Sequence, residues 1–258
     1  ATLAAGTELL SAMLNVSHRQ GEEQETSGRN DGSGPSREEA DPQDTKTTSI
    51  VVKLNYQPSE KHRFELGLDT YENATDSRLL SDYGTLSRGT LVNSRDSEDE
   101  KDRTRMSLAY NFSGVLPFSD EIQVLAYTQD SETVQLTLEN RLPPGPTSVA
   151  QNRSRNSIFE QQIDGILVSA RKDIEFGSVV HRLVYGSEYY STENKTLRDG
   201  RTTDALTGVT VREFFPLPTR DFPVTKVDQL AFFVQDEIEL MNGRLILSPG
   251  IRYDDFEA

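Results

Sequence analysis

Residues 229–258 read QLAFFVQDEIELMNGRLILSPGIRYDDFEA, and the alternation within them decides the fold. Leu230, Phe232, Val234, Ile238 and Leu240 share one parity, while Gln229, Gln235, Glu237 and Glu239 take the other. A period of two is that of an extended strand with one apolar face. Asn242-Gly243 is a hairpin signal, because both central residues of a type I′ turn need positive φ. Pairing Met241 with Arg244 sets Leu240 opposite Leu245, Ile238 opposite Leu247, Val234 opposite Ile251 and Phe232 opposite Tyr253. All eight apolar side chains then lie on one face. The other face carries Glu237, Glu239, Ser248, Gly250 and Arg252. Asp236 falls opposite Pro249, and proline cannot donate to a ladder, so a bulge or bend is expected there.

The scheme recurs upstream. Ile50, Val52, Leu54 and Tyr56 form one apolar stripe, Phe64, Leu66 and Leu68 a second. Thr104, Met106, Leu108, Tyr110 and Phe112 form a third, and Ile122, Val124 and Ala126 a fourth. Leu10, Ala12, Leu14 and Val16 predict a strand over 7–18. In the pair 158–171 and 178–191, Ile163, Leu167, Leu183 and Tyr185 suit one face, with Ile166, Val168 and Val184 on the other. Together these give about nine strands of roughly 10–15 residues. Short connections fall near 57–63, 113–120, 172–178 and 241–244, and long polar ones near 19–45, 72–101, 131–156 and 192–226. Long loops are uncommon in compact domains. Their regular alternation with short turns is what an up-and-down chain predicts, with all the turns at one end.

Composition narrows the solvent on each face. Only 34% of the residues are hydrophobic, yet nine Tyr and eleven Phe argue against disorder throughout. No cysteine is present, so disulfides and thiolate metal sites are excluded. The formal net charge of −15 argues against nucleic acid as a partner, since phosphate binding needs clustered Lys and Arg. A soluble sandwich would bury its apolar face on a second sheet and use strands of ~5–6 residues. Longer strands with one wet face suit a membrane-spanning barrel, whose outward face is apolar and whose lumen is polar. The expected fold is therefore all-β: an antiparallel up-and-down transmembrane β-barrel segment. About nine strands do not close an even-numbered barrel, so the segment is expected to belong to a larger one of the 22-strand class. Asp236 is the single charge on the apolar parity of the four cleanest strands, and it strains this assignment most.

"LAFFVQDEIELMNGRLILSPGIRYDDFE" resembles a hairpin of the TonB-dependent outer-membrane receptors, in which an aromatic-x-Gln-Asp strand precedes a turn and a Pro-Gly-x-Arg-Tyr-Asp strand. "HRLVYGSEYYSTEN" with the later "FFPLPTRDFPVTK" resembles the preceding strand and loop, most like the haem and haemoglobin receptor branch. The strong likeness covers about 178–258. It implies that 1–258 is a partial barrel domain, with the plug domain and the C-terminal barrel strands absent. It also implies a bacterial outer-membrane location, lipid around the barrel, and the TonB complex as a partner through the missing plug. The implied cargo is haem, a haem protein or a ferric siderophore, with haem transported and no cofactor held permanently. Two other classes compete: a passive porin or adhesin barrel, and a soluble secreted β-sheet binding module.

Candidate ligand-binding residues follow from side-chain chemistry. His18, at the outer end of its strand, offers an imidazole to a haem iron; the plain alternative is an exposed loop-edge histidine. Arg103, Arg105 and Arg252 share the polar parity and suit an anionic ligand. Their alternative is pairing with lumen carboxylates such as Glu121, Glu237 and Glu239, or with a plug. His62 and His181 fall by the short turns, away from external ligands. The acidic runs at 38–44 and 96–102 lack EF-hand spacing and read as solvated charge. With three histidines, no cysteine and no Gly-rich phosphate loop, the sequence offers no catalytic constellation, and no enzyme is expected.

Overall fold

A computed structural model of the chain describes residues 1–84, 86–87, 89–213 and 215–257, with residues 86 and 87 described by their backbone alone. Phe214 of the loop motif and Ala258 of the terminal run lie outside the described residues. The strands are β1 (Thr2–Gly6), β2 (Leu10–Glu22), β3 (Gln43–Ser59), β4 (His62–Arg78), β5 (Leu86–Ser87), β6 (Thr90–Ser113), β7 (Glu121–Leu142), β8 (Gln151–Phe176), β9 (Val179–Asp204), β10 (Thr225–Leu240), β11 (Leu245–Leu247) and β12 (Gly250–Glu257). They form one antiparallel sheet in chain order, with β5 added beside β6 and β12 continuing β11 along β10. Its edges, β1 and β12, are not paired with each other among the described residues.

The ladders carry one face through the whole sheet. Leu14, Val52, Leu68, Met106 and Thr128 stand in a single row across β2, β3, β4, β6 and β7. Leu108, Ala126, Ile166, Tyr189 and Leu230 do the same from β6 to β10. This apolar face is open: Leu66, Met106, Leu108 and Phe232 are each 50–53% exposed. Among the described residues the only buried apolar side chains are Val92 and Ala231. Among the described residues no second layer covers the stripe, an arrangement that suits a face turned to hydrocarbon and not the inner face of a sandwich.

The stripe has a bottom and a top. At the short-turn end Tyr56, His62, Phe64, Tyr110 and Phe112 form an aromatic girdle with ring centroids 4.9–6.2 Å apart. Such girdles mark the membrane interface. At the other end the same parity turns acidic two to four residues beyond each stripe, at Glu72, Asp102, Asp130, Asp164, Glu193 and Asp228. Between Thr104 and Phe112 lie ~27 Å of strand, or ~19 Å of height at a 45° tilt, which fits within a ~25 Å apolar band.

The predicted hairpin register holds, with Leu240 opposite Leu245, Ile238 opposite Leu247, Val234 opposite Ile251 and Phe232 opposite Tyr253. The turn is wider than a two-residue loop, because Met241 joins Asn242 and Gly243 at positive φ. No bulge forms at Pro249; the strand merely breaks at 248–249, and Asp236 N–H donates to the Pro249 carbonyl at 3.0 Å. Asp236 is answered from β9, where His181 Nδ1 lies 2.7 Å from its Oδ2. The charge on the apolar face therefore sits in a polar pair one strand wide, near the turn end.

Three expectations need correction. A tenth segment, β1, precedes the first predicted strand, and residues 7–9 are a turn. In β8 and β9 the faces are otherwise than read: Ile166 and Val168 share the outer face with Leu183 and Tyr185, while Ile163, Leu167 and Val184 face inward. The strands are also much longer than 10–15 residues, reaching 24 in β6, 22 in β7 and 26 in β8 and β9. Most of the stretches read as loops at 72–101, 131–156 and 192–226 are strand, including the acidic run at 96–102. Above the membrane both faces meet water, so neither needs an apolar stripe and the period of two disappears from the sequence.

Candidate functional site

The inner face below the rim is a mosaic of paired charges. Arg103 donates to Asp69 Oδ1 at 2.6 Å and lies over the Tyr71 ring at 6.0 Å. Arg105 stacks 4.9 Å from the Tyr127 ring centroid. Tyr127 can lie flat because its cross-strand neighbour is Gly165; a Cβ there would collide with the ring. Arg252 donates to Glu188 at 3.0 Å and to Asp254 at 2.9 Å. Arg182 bridges Glu237 at 2.7 Å and Glu239 at 3.0 Å, and Arg171 lies 3.7 Å from Glu121. Arg103 and Arg105 are neighbours on β6, but Arg252 on β12 is five ladders away, about 24 Å at the usual strand spacing. The three arginines therefore do not converge. His18 shares the outer face with Leu14 and Val16, just above the apolar stripe, and its Nδ1 lies 3.1 Å from Thr48 Oγ1. It faces away from the lumen.

A different set converges at the rim. One ladder row places Arg95, Glu139, Arg153 and Thr202 side by side on β6, β7, β8 and β9. All four point inward, and Arg141 and Arg155 flank the row on the same face. Glu139 is 7% exposed and serves Arg95 at 2.6 Å, Arg141 at 3.8 Å and Arg153 at 3.9 Å. Asp82, on the turn Leu80–Asp82, takes a second bond from Arg95 at 2.7 Å. Residues 205–213 and 215–224 then fold back as a strap. Val211 N–H donates to the Thr202 carbonyl at 2.8 Å, Thr219 pairs with Arg198 at 2.7 and 2.8 Å, and Arg198 meets Asp221 at 2.9 Å.

The strap brings Glu213 into the row. Its carboxylate accepts from Arg155 at 2.7 Å and from the Thr202 hydroxyl at 2.5 Å. Burial alone would raise the Glu213 carboxyl, but the Thr202 and Arg155 hydrogen bonds, with the Arg155 and Arg153 charges, hold it below its ordinary value of 4.5. Arg153 moves the other way. Desolvation and the neighbouring Arg155 and Arg141 charges lower it despite Glu139 and Glu213, and its buried Nε has no hydrogen-bond partner. Between strap and sheet lies a cavity of about 980 Å³, lined by five arginines and three carboxylates, with Phe215, Pro216 and Leu217 as an apolar wall. In a chain of net charge −15 this is a local surplus of positive charge beside apolar surface.

These arginines escaped the sequence reading because 72–101, 131–156 and 192–226 read as loops. The signal is Arg153-x-Arg155, two residues apart and hence on one face once the segment is known to be strand.

An open apolar exterior, a charged interior and turns at one end define a bacterial outer-membrane barrel. The chain belongs to the TonB dependent receptor-like, beta-barrel family, whose model matches residues 27–258. Among its relatives, the probable hemoglobin and hemoglobin-haptoglobin-binding protein 4 of Haemophilus influenzae is 31% identical over 147 residues, 54% of this chain and 14% of the relative. The hemoglobin and hemoglobin-haptoglobin-binding protein C of the same organism is 25% identical over 202 residues, 75% of this chain and 19% of the relative. The chain thus spans under a fifth of the length of these relatives. Similar solved structures include the outer membrane transporter YddB from Escherichia coli, at a TM-score of 0.61 and 14% identity over 99% of this chain and 33% of that one. The ferric citrate transporter FecA, unliganded, follows at 0.56 and 17% identity over 99% and 34%. At such identities the likeness is one of fold.

Proposed function

We propose that the chain is the barrel portion of a longer outer-membrane receptor that takes up an iron-bearing ligand, haem or a haem protein, through its extracellular rim. The observation that carries this is the arginine-lined cavity at the rim, in a family whose relatives here are named for binding haemoglobin. Haem is cargo in this reading and not a resident cofactor. The protein binds and transports, and is not an enzyme. Energy enters from TonB through a plug domain outside this chain. The two open sheet edges and the small share of each relative that is covered support a larger barrel.

The lower charge mosaic suits an interior packed by protein, because opposite charges placed in alternation neither attract one sign of solute nor leave an open polar path. The strap cavity at the rim differs, with five arginines to three carboxylates in its lining. The test is growth of an iron-starved host that lacks its own haem receptors and expresses the intact protein, with haemin or haemoglobin as the sole iron source. Growth that disappears when TonB is deleted supports the reading. Growth without TonB would favour a passive pore, and growth only on a ferric siderophore would move the ligand class.

A further inference from the structure

The cavity beneath the strap already holds a carboxylate, and that carboxylate belongs to the chain. Glu213 lies between Arg155 and Thr202 with the geometry expected for a bound ligand, at 2.7 and 2.5 Å. It comes from a segment tied to β9 on either side of it: Val209 and Val211 bond Asp204 and Thr202 before it, and Thr219 and Asp221 bond Arg198 and Thr196 after it. Arg153 remains under-neutralised beside it, its buried Nε unpartnered. Phe215, two residues after Glu213, is 69% exposed at the cavity wall together with Pro216 and Leu217.

We propose that this cavity is a carboxylate subsite in which Glu213 stands in for a carboxylate of the ligand. A ligand with acid groups on an apolar body binds by displacing Glu213 from Arg155 and engaging Arg153 as well. Arg153 and Arg155 lie about 7 Å apart along β8 on one face, a spacing that suits two acid groups on one edge of a flat molecule. Residues 215–217, already on the cavity wall, meet the body of the ligand. A carboxylate is favoured over other anions because the site already shows how it holds one: a charge-assisted bond from a guanidinium and one from a hydroxyl. Removing the Glu213 charge takes away a competitor, whereas removing either arginine takes away a contact.

This inference rests on the receptor reading, and the experiment separates the two. Iron protoporphyrin IX, with two free propionates, and its dimethyl ester are titrated into the intact receptor purified in detergent, as wild type, Glu213→Gln, Arg153→Gln and Arg155→Gln. Heat-modifiable gel migration reports that each barrel is folded. The diacid is expected to bind Arg153→Gln and Arg155→Gln about tenfold more weakly than wild type, the scale of one charge-assisted hydrogen bond. Glu213→Gln is expected to bind the diacid severalfold more tightly. The dimethyl ester is expected to bind all four proteins alike. Equal changes for diacid and ester, or no change in any variant, would overturn the subsite while leaving the receptor reading in place. Failure of the wild type to bind either compound would overturn both.

Discussion

Placing a cation on the outer stripe should be far costlier than placing one on the inner stripe of the same sheet. Leu108 is the natural position. It lies midway between Thr104 and Phe112 on β6, flanked by Leu66 on β4 and Ala126 on β7, and is 53% exposed with no protein layer above it. With ~13 Å of strand on either side and a tilt near 45°, it sits close to the middle of the apolar band. Leu108→Arg is expected to destabilise the folded barrel by ~2–4 kcal/mol, the depth-dependent cost of arginine at the midplane. Gln123→Arg on β7 points inward beside Asn111, which itself bonds Glu65 at 3.1 Å, and Glu121 lies two residues away on the same face. That substitution meets water and carboxylates and is expected to change stability by less than ~1 kcal/mol. Urea titration of the intact protein in lipid vesicles, followed by heat-modifiable gel migration, measures both. Equal costs, or a larger cost at Gln123, would refute the face assignment, since a water-soluble sheet has no reason to penalise an arginine at a half-exposed site.

Other substitutions probe particular contacts. His181→Leu leaves Asp236 on the apolar face without its 2.7 Å partner and is expected to destabilise by ~1–3 kcal/mol, with Asp236→Leu in the same protein restoring most of the loss; the same vesicle titration reads the double-mutant cycle. The strap should loosen in acid. Because the folded Glu213 carboxyl is held below 4.5, its contribution is complete above that value and is lost as pH falls through the lower folded value. Hydrogen-exchange protection factors at 205–224, which remove the intrinsic pH dependence of amide exchange, should therefore fall below pH 4.5, and Glu213→Gln should abolish that fall; protection factors unchanged with pH in the parent protein would contradict it.

The parts of the fold that were legible in the sequence are those where two solvents differ. In β3, β4, β6 and β10 lipid on one side and a wet interior on the other impose a strict alternation, and faces and hairpin register follow from it. β8 was misread because Ile163 and Leu167 put apolar side chains inward as well, so either parity looked acceptable. Above the membrane the information vanishes: residues 94–102 and 131–142 are strands with water on both faces, and polar strands resemble loops. The candidate site lies in that illegible zone. Arg103, Arg105 and Arg252 were selected for their parity alone, whereas Arg95 and Arg153 meet only through the ladder row Arg95–Glu139–Arg153, which joins three strands. Nor could Glu213 be placed, since it reaches the row on a strap held by backbone bonds to β9.

Because the chain has no cysteine, the solvent that each face of the sheet meets can be measured directly. Single cysteines placed at each position from 103 to 112 on β6 of the intact protein in vesicles can be labelled with a fluorophore and quenched by brominated lipid or by an aqueous ion. A period of two is expected, with lipid quenching at 104, 106, 108, 110 and 112 and aqueous or interior character at the odd positions. A flat profile, or lipid quenching at the odd positions, would contradict it.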